Sequence, residues 1–240
     1  MAFAASAEPA DFEEASDWFA SKFPVTPEIA EALGAYAGSR AWTIAGVTQL
    51  DIVLTVHESL LKAIREGTPL KEWQESIGDT LTEAWGKRDS ARLETIFRNA
   101  TQSAYNAGRW RQINDPVMKQ LRPFGLFDGI DDSRQSEICN HRDGTILPLD
   151  DPWWQSNNPP LHHRCRSRIT TLRRAEAERR GVTVDPPSSG DVSDGFGRPP
   201  TDSEWSPKPG DYPADLFGEY QSKRQQIADK AKRPKIKLSE

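Results

Sequence analysis

Cys139-Asn140-His141-Arg142-Asp143-Gly144, Asp150-Asp151-Pro152-Trp153-Trp154 and Asn158-Pro159-Pro160-Leu161-His162-His163-Arg164-Cys165 follow one another within a short span of this chain. The span holds both cysteines and three of the four histidines of the protein. Thiols and imidazoles are the preferred ligands of zinc. The prolines, the Asp-Gly pair and the two indoles beside them signal tight turns around buried aromatic rings. The segment reads as the knot of a small module, clamped by a metal or by its own turns.

Cys139, His141, His162 and Cys165 are the candidate metal set, since two thiolates and two imidazoles suit a tetrahedral Zn²⁺ that would tie the intervening loop. The Cys-x-His arm is shorter than the usual Cys-x₂₋₄-Cys arm, and His163 competes with His162 for the same place. The alternative is a pair of buried thiols with hydrogen-bonded histidines, and both readings stay open at this point. A nucleophilic Cys165 activated by His162 or His163, with Arg164 and Arg166 nearby, is a third reading, but no oxyanion element accompanies it. No residue is assigned as catalytic. Trp153, Trp154, Pro159 and Pro160 read as core and turn formers, Asp143-Gly144 as a hairpin turn, and His57 as a satisfied core residue.

Arg164, Arg166, Arg168, Arg173 and Arg174, continued by Arg179 and Arg180, form a basic run suited to DNA phosphates. The plainer alternative is a solvated face balanced by Glu176 and Glu178. The whole chain carries a net charge of −5 and so has no general attraction for nucleic acid or an anionic membrane.

Outward from the knot, 240 residues are enough to bury a core without disulfide staples. A hydrophobic share of 36% and a charged share of 28% fit a folded body with polar tails. Residues 1–10 show no signal-peptide pattern and no later run approaches a membrane span, so the chain reads as a cytoplasmic product whose thiols stay reduced.

Residues 1–115 read as a mostly helical region. Phe12, Ala15, Phe19 and Phe23 recur at helical spacing until Pro24. Thr26-Pro27 opens a second helix expected to reach about Ala45. Leu50, Val53, Leu54, His57, Leu61 and Ile64 make a third stripe that Gly67 closes. Leu70, Trp73, Ile77, Leu81 and Trp85, and then Leu93, Ile96, Phe97, Ala100, Ala104 and Tyr105, complete a bundle. Residues 116–180 change texture to short apolar pieces, at 121–127, 145–149 and 166–172, expected as strands of an α+β or β-hairpin module. Residues 181–240 read as an extended arm and basic tail, with Trp205, Tyr212, Leu216 and Phe217 as docking anchors. The fold class is α+β.

These segments together resemble the phage Mu F-like minor head proteins, also called head-morphogenesis proteins. The resemblance rests on Ala41-Trp42-Thr43-Ile44-Ala45-Gly46-Val47, on 63–70, on Ile96 to Arg109, on Arg122-Pro123, and most specifically on Cys139 to Gly144, Asp150 to Trp154 and Pro159 to Arg166. Where such proteins often carry a further cysteine after Cys165-Arg166, this chain has Ser167. The resemblance implies a virion component inside the head near the portal. Its partners would be the portal or other head proteins and packaged DNA, with no membrane and no small-molecule substrate. It implies a role in capsid assembly, DNA packaging or ejection, and no enzyme activity. No cofactor is implied beyond the candidate Zn²⁺. An enzyme or toxin-associated module would need a catalytic constellation after Gly181, where there is neither His nor Cys. A DNA-binding regulator would need a recognition helix beside the basic run, and none is evident.

Overall fold

The structure, a computed structural model, describes residues 12–31 and 41–200. Among these, α1 (Glu13–Ala20) ends two residues before the short strand β1 (Phe23–Pro24), which pairs in parallel with β2 (Ala41–Trp42). Helices α2 (Leu50–Glu66), α3 (Leu70–Trp85) and α4 (Ser90–Ile113) form the body. Their boundaries follow local chemistry. Gly67 and Gly86 close α2 and α3 in the left-handed conformation, where a side chain would be strained. Asp89 caps α4 by accepting from Arg92 N at 3.0 Å.

The expected stripes face inward. Val53, Leu60, Leu61, Trp73, Ile77, Leu81, Leu93 and Ala104 share one core with Ala15 and Phe19 of α1. α1 lies close on α4 at Gly108, where an added Cβ would meet Ala15 N at 2.7 Å. The second helix departs from expectation. Residues 27–31 are helical, with Thr26 Oγ1 accepting from Ile29 N at 3.5 Å, but Ala41–Trp42 is a strand and Gly46 turns with positive φ. A helix to Ala45 is therefore ruled out: Trp42 O accepts from Val25 N across the parallel pair.

After the short helix α5 (Pro116–Leu121), capped by Asp115, come β3 (Phe124–Asp128), α6 (Glu137–Asn140), β4 (Ile146–Pro148), α7 (Trp154–Asn157), β5 (Arg168–Leu172) and α8 (Arg174–Arg180). The sheet order is β4-β3-β5, antiparallel throughout, so all three expected strand segments are present. Asp143-Gly144 is not the tip of a tight hairpin. It closes the excursion 129–145 that carries α6, with Gly144 N donating to Phe127 O and Asp143 Oδ1 accepting from Gly129 N. Trp154 is fully buried under the sheet, with its Nε1 donating to Pro148 O at 2.9 Å. It leaves no room for a side chain at Gly125.

The described part of the arm, 181–200, has no helix or strand, as its composition leads one to expect, but it is laced onto the module. Thr183 N donates to Ile146 O, Ser193 N to Leu161 O and Gly197 N to Pro160 O, while Asn158 N donates to Gly197 O. Backbone hydrogen bonds replace the apolar burial that this segment lacks. Trp205, Tyr212, Leu216, Phe217 and the basic tail lie outside the described residues. No helix among the described residues is long and apolar enough to cross a membrane.

Candidate functional site

Ser136 caps α6 by accepting from Cys139 N at 3.2 Å, which turns Cys139 into the module. The turn 158–165, with a cis peptide between Pro159 and Pro160, brings His162 and Cys165 back against it. Cys139 Sγ lies 3.6 Å from Cys165 Sγ and 3.2 Å from His162 Nε2. The ligand atoms of these three residues all fall within 4.8 Å of one another. Both cysteines are buried and free, and His162 is half-buried. His162 Nδ1 donates to His163 O at 2.7 Å, which fixes the ring and aims Nε2 at the sulfur.

The electrostatics follow from this contact. The hydrogen bond from Cys165, helped by His162 and by the Ser136 and Ser167 hydroxyls, draws the Cys139 thiol down to about 4 against the penalty of burial. Cys165 is pushed the opposite way by the same bond and by burial, so the pair keeps one proton between them. The Cys139 sulfur also raises His162, which favours imidazolium beside thiolate.

The four-residue metal set is brought together only in part. Cys139, His162 and Cys165 converge; His141 is exposed at the C-terminal end of α6 and lies outside that cluster. The helical turn is responsible: two residues after Cys139, the chain points away from the side on which Cys139 is buried. The thiol–imidazole pairing is likewise Cys139 with His162, not Cys165 with a histidine. His163 instead bonds Asn99 Nδ2 at 2.7 Å and packs edge-on against Phe196, and both rings line a cavity of about 480 Å³ together with Trp42, Arg92 and Asn99.

The arginines are spoken for to different degrees. Arg164 sits at φ 60, a strained conformation for a side-chain-bearing residue, held by Asn99 Oδ1 on its N–H and by Thr95 Oγ1 and Ala91 O on its guanidinium. Arg166 forks onto Asp132, which holds that carboxyl far below its usual range. Arg168 pairs with Asp128 at 2.7 Å. Arg173 and Arg174 are exposed, with Arg174 over the Phe124 ring.

Sequence reasoning missed the residues that assemble the knot. Arg142, wholly buried, donates to Asn157 Oδ1 and Ile138 O at 2.7 Å, and to Ser188 O and the Asp191 carboxylate of the arm. Nothing local marks it as buried, since its acidic partner lies in the arm. Ser167, also buried, faces the Cys139 sulfur with its hydroxyl, while Gln102 and Asn106 of α4 donate to its carbonyl.

The convergence of the knot with α4 falls inside a region with known relatives. A family profile described as "Phage Mu protein F like protein" matches residues 54–170, from α2 to β5. Residues 54–170 belong to the phage Mu F-like family. Protein F of Escherichia phage Mu, named as a capsid assembly protein, is 28% identical over 202 residues, covering 77% of this chain and 45% of the relative. The Mu-like prophage FluMu F protein of Haemophilus influenzae is 31% identical over 163 residues, covering 62% of this chain and 38% of the relative. The chain thus spans less than half the length of either Mu F-like relative. No solved structure matches it.

Proposed function

We propose that this chain is a phage head component that acts in capsid assembly by presenting surfaces, without bond-breaking chemistry. The observation that carries this reading is the Mu F-like segment 54–170, which takes in the helical body and the knot as one continuous unit and is shared with a relative named for capsid assembly. The finer reading places it inside the head near the portal, docked on portal or other head proteins and close to packaged DNA, with a part in packaging or ejection. The buried thiols support a shape-giving knot: the described cavity is lined by His163 and not by Cys139 or Cys165.

DNA contact falls mainly to the exposed Arg173, Arg174 and Arg179 on and beside α8, because Arg164, Arg166 and Arg168 already have partners within the chain and Arg180 pairs with Glu176. Mass spectrometry of purified heads and proheads tests the proposal. The chain is expected in both, and its loss should leave heads that fail to assemble or fill. Its absence from both kinds of particle overturns the reading.

A further inference from the structure

We propose that Cys139, His162 and Cys165 hold a Zn²⁺ ion whose fourth ligand is a water molecule. The geometry is close to what the ion needs. Two thiolates bound to one tetrahedral zinc at about 2.3 Å stand about 3.8 Å apart, and the two sulfurs here are already 3.6 Å apart. His162 Nε2 completes the face from 3.2 Å. Two thiolates and an imidazole are the donors that select zinc over hard cations.

The surroundings supply what ligands of this kind require. The Nδ1–H of His162 is anchored on His163 O, the outer contact that orients a ligating imidazole, and Nε2 faces the Cys139 sulfur at 3.2 Å and Ser136 Oγ at 2.7 Å, a hydrogen bond that the ion would replace. Backbone groups of Leu161 and Ser167 hydrogen-bond to the Cys165 sulfur, and the Ser136 and Ser167 hydroxyls to that of Cys139. Arg166 is drawn aside onto Asp132, so no guanidinium occupies the position of the ion.

Ser167 decides the coordination number. It is buried, two residues after Cys165, and its side chain acts on the Cys139 sulfur, so a thiol at this position would offer the ion a third thiolate. A serine hydroxyl is a poor zinc ligand at neutral pH, and His141 is turned out to solvent, so water takes the remaining place. Bound there, the ion links α6 and the 158–165 turn at one point.

The test uses the full chain without a histidine tag, purified under reducing conditions, stripped with a chelator and titrated first with Co²⁺ and then with Zn²⁺. One Co²⁺ per chain is expected, with thiolate charge-transfer absorption and the strong visible bands of a tetrahedral site, and Zn²⁺ should displace it. Cys139→Ser, His162→Ala and Cys165→Ser should each weaken binding by more than about a hundredfold, beyond the range of outer-contact changes. His141→Ala should bind as the parent does. Ser167→Cys, a nearly isosteric change, should tighten binding tenfold or more and add a third thiolate to the spectrum, which keeps the test decisive if a ligand variant fails to fold. The proposal is overturned by a folded parent chain without charge-transfer absorption, by loss of binding in His141→Ala, by a Ser167→Cys spectrum equal to the parent's, or by recovery of both thiols as a disulfide from reducing buffer.

Discussion

Leu60 in the helical body and Arg142 in the module are equally closed to solvent, yet opposite forces keep them there. Leu60 sits in a core of aliphatic and aromatic side chains contributed by four helices, and its burial is favourable in itself. Arg142 is a charge whose removal from water is costly, and it stays buried because Asn157, Ile138 O, Ser188 O and Asp191 together satisfy its donors. The body is held by many interchangeable contacts, the module by a few specific ones. A change in the body should therefore be graded, and a change in the module should be abrupt.

Arg142→Ala is the sharpest way to probe that contrast. It should cost about 4 kcal/mol in chemical denaturation, because a cavity and several orphaned acceptors remain. It should also release 183–197 to proteases. Leu60→Ala should cost about 3 kcal/mol without freeing the arm. Equal proteolysis in both variants would erase the distinction.

His57 gives the body its own polar weak point. It is stacked on Phe19 at 4.5 Å between ring centres, its Nε2–H donates to Phe19 O, and its Nδ1 has no hydrogen-bond partner. The satisfied core histidine expected from the sequence is thus satisfied at one nitrogen only. Burial lowers it from 6.5 to about 4, so between those pH values the unfolded chain takes up a proton that the folded protein refuses. Stability should fall by roughly 2–3 kcal/mol as pH drops through that window and lose nothing more from this residue below it. Denaturation at pH 7 and pH 4 checks this, and His57→Phe should remove that part of the slope. The smallest effect belongs to Gly108→Ala. The gain in helix propensity of about 1 kcal/mol should be outweighed by the collision with Ala15, leaving a net loss of about 1–2 kcal/mol. A raised melting midpoint would mean that α1 is only loosely seated.

The same contrast explains what the sequence could reveal. The stripes Leu50 to Ile64 and Leu70 to Trp85, and the closing glycine at 67, were legible because helix periodicity and capping act within a few residues. The three strand segments showed through their apolar runs, and the crowding of Cys and His located the knot. Which of those residues meet was not legible. His141 and His162 are equal as letters, and only the helical turn at 137–140 separates them. Arg142 with Asp191, Arg166 with Asp132 and Asn99 with His163 join residues dozens apart or from different elements, and no local pattern encodes such pairs. The early end of the second helix was lost for a similar reason, since the pairing of Phe23–Pro24 with Ala41–Trp42 outweighs the helical preference of the alanines.

The lacing of 183–197 around the module also imposes an order on synthesis. A nascent chain that has reached Arg180 has made its sheet and both thiols but not Ser188 or Asp191, so Arg142 still lacks the acceptors that permit its burial. Closure of the module must wait until those later residues leave the ribosome. Once it closes, Gly197, bonded to Asn158 and Pro160, acts as a mooring.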